Sequence, residues 1–392
     1  MVSRLNLGGK VAVVGAFDTE VGKLSGVTPT ELCVQAALGA IADAGISKEQ
    51  VDGLVTCNSM AQPIMYHAEA IAEYLQIFPR YCFAAAAGGG TTFSVIHHAA
   101  SAIVTGMAEI VVVAMADCMR TGLSREQSLV VQASTGHPQF EQPYGPTVPA
   151  YYALIAQAHM AEYGTTQTQF AEIAVAARRH AQLNPAAQMR DPITIDDVLS
   201  SRLIADPLHL LDCSLVSDGG AAIILTSAEK AKDFQQTPVY LLGAGEGHSH
   251  EHISQAKNLT TSAATVSGKQ AYEMAGLSPS DIDFAQLYDC FTPTVIIELE
   301  DLGFCAKGEG GAFVEENRVG PGGELPINTH GGLLSHSHSG NPGSLFALTE
   351  TIWQLRGDLG DRQVLDASIG LVHGQGGIMS SHATLIFGSE NN

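Results

Sequence analysis

Ala44-Gly-Ile-Ser-Lys-Glu-Gln-Val-Asp52 returns later in the chain as Ala275-Gly-Leu-Ser-Pro-Ser-Asp-Ile-Asp283. Each copy follows an amphipathic stretch and leads into an apolar run. Before the first copy, Thr28-Pro-Thr-Glu31 predicts a helix start. Thr28 is the N-cap, Pro29 suits the first turn and Glu31 closes a capping box. Leu32, Ala36, Ala37, Ile41 and Ala44 then form one apolar stripe, and Gly45 stops the helix. Before the second copy the matching helix is Ala263–Ala275. Strands are expected after each, at Val51–Cys57 and Asp283–Phe291. A glycine turn and helix at Gly88–Gly106 has its counterpart at Gly340–Gly357, and the next strands are Ile110–Ala114 and Leu365–Val372. Continuous apolar runs such as Val11–Phe17 and Ile110–Met115 read as strands buried on both faces.

A unit used twice predicts a duplicated α/β fold. The expected halves are residues 1–235 and 236–392. Their central helices should lie between two sheets, giving an α-β-α-β-α layering. Residues 119–211 break the rhythm, with more polar residues, prolines and tyrosines and helices near 149–163 and 167–184. They read as an insertion covering one face of the core. The glycine turns fall at matched strand ends, where open α/β sheets place their ligands.

Composition narrows the function. The chain has 392 residues, is 45% hydrophobic and 15% charged, and carries 41 glycines, the balance of a well-buried globular enzyme. With 19 Lys and Arg and a net charge of -21 there is no basic patch for nucleic acid. Seven scattered cysteines without CxxC spacing indicate neither a disulfide framework nor a zinc ribbon and point to a reducing cytoplasm. No basic segment followed by an apolar run opens the chain, so no signal peptide is expected. No apolar run reaches the ~20 residues that span a bilayer.

The chemistry-bearing stretch is Ile327 to Ser344, INTHGGLLSHSHSGNPGS. It places His330, His336 and His338 among glycines ahead of a helix start. That pattern suits proton transfer beside an oxyanion. His248-Ser-His250-Glu-His252 is a second histidine run, for which a shared metal ion and a polar pocket lining are both open.

The duplication, Ser217-Asp-Gly-Gly-Ala-Ala, Tyr288-Asp-Cys-Phe291, Asn184-Pro-Ala-Ala, Ser200–Pro207 and the glycine-flanked His338 together resemble the thiolase superfamily. The likeness runs over nearly the whole chain and is greatest to its sterol-carrier-protein-type and lipid-transfer-protein-type branch. The resemblance implies four site positions. The nucleophilic cysteine's place falls at Gly89, which has no nucleophile, and Cys82 on the preceding strand is the nearest thiol in sequence. The Asn/His motif reads Tyr288-Asp289-Cys290-Phe291. The catalytic histidine matches His338. The proton-shuttling cysteine matches His373 in a glycine-rich turn that includes Gly376. His330 and His248 are expected along the pocket or CoA channel, with His336 pointing elsewhere.

A thioester site with its histidine kept and its nucleophile gone implies retro-aldol cleavage of a β-hydroxyacyl-CoA with a steroid or other branched side chain. Tyr288 or His373 would be the base, His338 would polarise the thioester and Asp289 would orient its neighbours. The resemblance implies no resident cofactor, the CoA thioester being the substrate. It also implies a homodimer and a small OB-fold partner that makes a heterotetramer. Acyl transfer of the Claisen type and a non-catalytic acyl-CoA-binding scaffold stay open beside this reading.

Overall fold

The computed structural model describes residues 6–391. Met1–Leu5, where the reading against a signal peptide begins, and Asn392 lie outside them. The first half runs β1 (Val11–Asp18), α1 (Pro29–Asp43), β2 (Gly53–Cys57), α2 (His67–Leu75), β3 (Tyr81–Ala85), α3 (Thr91–Val104) and β4 (Ile110–Cys118). Next come α4 (Arg125–Ala133), α5 (Val148–Tyr163), α6 (Gln167–Leu183), α7 (Ile195–Ser200) and the short hairpin β5 (Leu203–Ala205) and β6 (Leu208–His209), before β7 (Asp218–Ser227). The second half has β8 (Val239–His248), α8 (Ala264–Ala275), β9 (Phe284–Gln286), α9 (Thr292–Asp301), α10 (Gly310–Phe313), α11 (Gly343–Arg356), β10 (Ile369–Gly376) and β11 (Ser381–Gly388).

The repeated nonapeptide does the same work twice. Gly45 and Gly276 both end a helix at positive φ, 70° and 68°. Asp52 accepts the main-chain N–H of Ile110 at 2.8 Å, and Asp283 accepts that of Ile369 at 2.8 Å. Each aspartate thus ties its own β-strand to the first residue of the strand after the central helix. The capping box at Thr28 and Glu31 forms as expected.

The layering is the expected one. Helices α1 and α2 cover the outer face of the first half-sheet in one apolar cluster. Helices α3 and α11 share a second cluster with strands of both halves, so they are the central layer. Helices α8 and α9 cover the outer face of the second half-sheet. One feature differs from the expectation of two separate sheets. The strand order is β3-β2-β4-β7-β1-β8-β11-β10-β9, a continuous nine-stranded sheet. The two halves join where β1 meets β8 antiparallel, through the pairs Ala12↔Tyr240 and Val13↔Val239. Beyond that short bridge β1 runs on with β7 and β8 with β11.

The expected strand Asp283–Phe291 is shortened to Phe284–Gln286. Beyond it the main chain is satisfied by side chains rather than a ladder. Leu287 N–H donates to Asn328 Oδ1 at 2.8 Å and Tyr288 N–H to Glu298 Oε2 at 2.9 Å. That frees 288–291 to form a site wall. The insertion forms helices as predicted, and α5 and α6 pack on α9 of the second half.

Candidate active site

Three loops meet at the ends of the strands, and each is fixed by its own hydrogen bonds. The first is Gly88-Gly89-Gly90 before α3. Ser344 Oγ, in the first turn of α11, donates to the Gly89 carbonyl at 2.6 Å. The second is Tyr288–Phe291. Thr294 Oγ1 donates to the Tyr288 carbonyl at 2.7 Å, so the first turn of α9 holds the loop from behind. The third is Asn328–Gly340. It contains one wide helical turn, Gly332–His336, and delivers His338.

Segment Cys213–Ser217 straps the second and third loops together. Ser214 N–H donates to the Cys290 carbonyl at 2.9 Å and Leu215 N–H to the Leu333 carbonyl at 3.0 Å. Ser217 grips His338 from both sides: its N–H donates to the His338 carbonyl at 3.0 Å, and its Oγ accepts the His338 N–H at 3.2 Å.

The loops enclose a cavity of about 350 Å³. Gly88, Gly89, Gly376, Tyr288, Cys290 and His338 line it, with Tyr152 and Gln375 opposite and Met60, Met119, Val131 and Val216 making an apolar wall. Tyr288 and His338 form a dyad, phenol oxygen to imidazole Nε2 at 3.0 Å. Burial pushes the phenol well up and pushes His338 down to about 4, so both are neutral at neutral pH. The Leu215 carbonyl takes the other ring N–H of His338, so the phenol O–H donates to the Nε2 lone pair.

Gly89 and Tyr288 exclude alternatives to one another. A Cβ built on Gly89 would overlap the Tyr288 ring and hydroxyl. The space beside residue 89 that a side chain would take is filled by the phenol.

Asp289, between the two wall residues, points away from the cavity. Its carboxylate accepts the N–H groups of Leu333 at 2.8 Å and Leu334 at 3.3 Å. It sits so close to Gly332, at φ 64°, that a Cβ there would overlap it. Asp289 therefore anchors the loop that carries His338. Burial pushes its carboxyl up to about 7, against the pull of those two N–H donors. A raised carboxyl favours the folded state most when protonated, so its contribution declines as pH rises from about 4 to about 7 and is level above that. The melting-temperature difference between the natural chain and Asp289→Asn is expected to shrink over that window. A difference independent of pH would show that Asp289 is ionised throughout.

Three expected pocket residues lie elsewhere. His373 does not line the cavity. Its Nδ1 bonds Thr384 Oγ1 at 2.8 Å and its Nε2 bonds His382 Nδ1 at 3.0 Å, which turns it toward the α8 side of β10. Gln375, two residues on, reaches the cavity instead. His330 lines a separate cavity of about 310 Å³ with His336, Asp18 and Glu350, because the wide turn carries residues 330 and 336 behind the loop. His248 is exposed at the end of β8, bonded to Ser381 Oγ at 3.2 Å. The other two histidines of its run diverge: His250 bonds the Ile378 carbonyl at 3.1 Å, and His252 packs edge-on against His137. Among the described residues no group of three or more His, Cys, Asp or Glu is arranged to hold a metal ion. Cys82 lies on edge strand β3 and is not part of the cavity.

Tyr152, Gln375 and Cys290 were not singled out from sequence. Tyr152 comes from the insertion, whose packing no pattern announced. Cys290 carried a signal, its alternation with Tyr288 in Tyr-Asp-Cys-Phe.

The pattern of the thiolase N-terminal domain matches residues 11–229, and that of the thiolase C-terminal domain-like family matches residues 245–389. The chain belongs to the thiolase family. Within it, the chain is 35% identical to an acetyl-CoA acetyltransferase of Methanothermobacter thermautotrophicus, over 96% of this chain and 99% of that one. It is 38% identical to the 17-hydroxy-3-oxo-4-pregnene-20-carboxyl-CoA lyase of Mycobacterium tuberculosis, over 90% of this chain and 92% of that one. Among solved structures it resembles an Ltp2-ChsH2(DUF35) aldolase at 35% identity and a TM-score of 0.87, over 97% of this chain and 98% of that chain. No helix among the described residues of this thiolase-family chain is long and apolar enough to cross a membrane.

Proposed function

We propose that this thiolase-family chain is a retro-aldolase, cleaving a β-hydroxyacyl-CoA to a ketone or aldehyde and a shorter acyl-CoA. One observation carries the reading: a neutral Tyr288–His338 dyad occupies the space beside Gly89. Acyl transfer needs a covalent nucleophile there. The two cavity thiols are poor substitutes, since burial pushes Cys213 up to about 12 and Cys290 also upward, leaving both as S–H. Retro-aldol cleavage needs no covalent intermediate. The substrate β-hydroxyl gives its proton to the Tyr288 oxygen as the phenol proton moves to His338 Nε2. The Cα–Cβ bond breaks, its electron pair becoming the thioester enolate.

His338 is then a proton acceptor within the dyad rather than the polariser of the thioester that the resemblance implied, because its Nε2 faces the phenol. The chemistry draws on side chains, with the CoA thioester as substrate. The apolar wall of Met60, Met119, Val131 and Val216 suits a steroid or other branched acyl group. The lyase and aldolase relatives support this class. The ChsH2(DUF35) chain in the solved neighbour supports a partner of that kind here. We infer a homodimer carrying small OB-fold partners as a heterotetramer.

The deciding assay incubates purified chain, with and without a co-expressed OB-fold partner, with tertiary β-hydroxyacyl-CoAs. Acetoacetyl-CoA plus CoA is the parallel arm. Mass spectrometry should find a carbonyl product and a short acyl-CoA in the first arm only. Thiolysis of acetoacetyl-CoA would overturn the reading.

The dyad also sets a pH dependence. His338 accepts a proton only when neutral, and its value is pushed down to about 4. The acid limb of kcat/KM should therefore lie near 4, well below an ordinary histidine's ~6.5. A limb near 6.5 would show His338 in a more solvated state.

A further inference from the structure

The second cavity, behind the loop that delivers His338, takes no part in the retro-aldol chemistry. We infer that it is a binding site for a small, neutral, planar molecule with a hydrogen-bond donor and acceptor side by side, as in a heteroaromatic amide. His330 carries the inference. It lines the cavity, is 3% exposed, and neither of its ring nitrogens has a partner among the described residues. Buried polar groups are paired almost without exception. An imidazole with two open nitrogens on the wall of a 310 Å³ space therefore points to something that fills the space. Asp18 Oδ1, at the end of β1, is a second buried and unpartnered atom on the same cavity.

The imidazole is held in place rather than loosely packed. Asn184 Nδ2 donates to the His330 carbonyl at 2.9 Å, and Asn184 Oδ1 accepts the Ala186 N–H at 3.0 Å. The His330 ring lies across that of His336 with centroids 5.1 Å apart. His336 is fixed in turn by Ser337 Oγ, 2.9 Å from its Nδ1, and by the Phe346 ring at 5.4 Å.

The charges around the cavity cancel. The Glu350 carboxylate accepts Thr329 Oγ1 at 2.9 Å, Gln354 Nε2 at 3.2 Å and Arg362 Nη2 at 2.9 Å. Burial pushes His330 and His336 down to about 3 and pushes Asp18 well up, which disfavours charge on all three. Glu20 is exposed at the rim, where water and salt screen it. A buried ion would thus find no free opposite charge, and its desolvation would go uncompensated. A neutral molecule escapes that cost. Neutral imidazole offers one N–H and one lone pair, which an amide edge matches. Phe346 and Trp353 supply flat walls for its ring.

Trp353 is the chain's single tryptophan, so its emission reads this cavity. The test titrates the full chain with nicotinamide, with the anion nicotinate and with the cation 1-methylnicotinamide. The three share a ring and differ in charge. Nicotinamide should change the emission saturably, and saturation-transfer NMR should place its ring protons against the protein. Both charged probes should bind about tenfold more weakly or worse. His330→Leu should weaken nicotinamide by about tenfold or more, the scale of a lost buried hydrogen bond. Asp18→Ala should weaken it as well, and serves should the first variant not fold. Saturating propionyl-CoA should leave the titration unchanged, since the thioester occupies the other cavity. Linear collisional quenching without NMR transfer would overturn the inference and leave a cavity that holds water only. Equal binding by the natural chain and both variants, a charged probe that binds as tightly as nicotinamide, or displacement by propionyl-CoA would overturn it too.

Discussion

Tyr288→Phe is expected to lower kcat/KM for β-hydroxyacyl-CoA cleavage by about 10²–10⁴-fold, the range lost with a positioned general base. The ring stays and keeps the cavity shape, so the loss isolates the hydroxyl. That hydroxyl is the partner of His338 Nε2 at 3.0 Å, and without it the imidazole faces the cavity unpaired. An orphaned buried acceptor costs about 1–3 kcal/mol. A modest fall in melting temperature should therefore accompany the kinetic loss, and both are read on one preparation. Steady-state cleavage by mass spectrometry and a thermal melt suffice. Activity within tenfold of the natural chain would remove Tyr288 from the chemistry and make the dyad a packing contact.

The second large effect comes from the smallest residue in the cavity. Gly89→Ala puts a Cβ where the Tyr288 ring and hydroxyl lie. The phenol must move or the 87–89 loop must yield. The loop is held by Ser344 at the Gly89 carbonyl, and a Cβ on Gly376 would already overlap the Ala87 carbonyl on its other side. The ring therefore gives way and the dyad is broken. Cleavage should fall at least as far as in Tyr288→Phe, with a stability loss of about 1–3 kcal/mol from overpacking. Gly89→Cys should behave alike and should not acquire thiolysis, because its sulfur meets the same ring. The companion variant Gly89→Cys/Tyr288→Ala relieves the overlap and should regain the melting temperature that Gly89→Cys loses. Unchanged cleavage by Gly89→Ala would show that ring and loop accommodate each other cheaply.

Much of the fold was legible because its signals are local and repeated. The two nonapeptides announced the duplication, and the structure shows why they are alike: Asp52 and Asp283 perform one task at equivalent strand starts. The apolar runs gave the strands, and Thr28 with Glu31 gave the first cap. The joining of the half-sheets through Ala12 and Val13 was not legible, since any buried strand reads alike whichever neighbour it takes. In the site, Gly89, Tyr288 and His338 could be placed by resemblance because their loops keep the family spacing. His373, His330 and His248 could not, because a histidine's address within a glycine-rich stretch depends on which face the backbone turns. At His330 that face is set by the wide turn gripped by Asp289, a contact between residues more than forty positions apart. Tyr152 was out of reach for a related reason, since its place depends on α5 docking against the opposite half.

That docking has a consequence in time. Helix α5 ends at Tyr163 and α9, its apolar counterpart, ends at Asp301. A ribosome adding ~5–20 residues per second needs roughly 7–28 s to travel from one to the other. Throughout that interval Tyr152, which will stack on Phe291 ahead of α9, lacks that cover, although the β5–β6 hairpin beside α5 is already made. The nascent chain therefore carries a sticky, half-finished surface through the middle of its synthesis. Slowing translation between the two helices should lower the soluble yield, and holdase chaperones should engage the chain most strongly in that window.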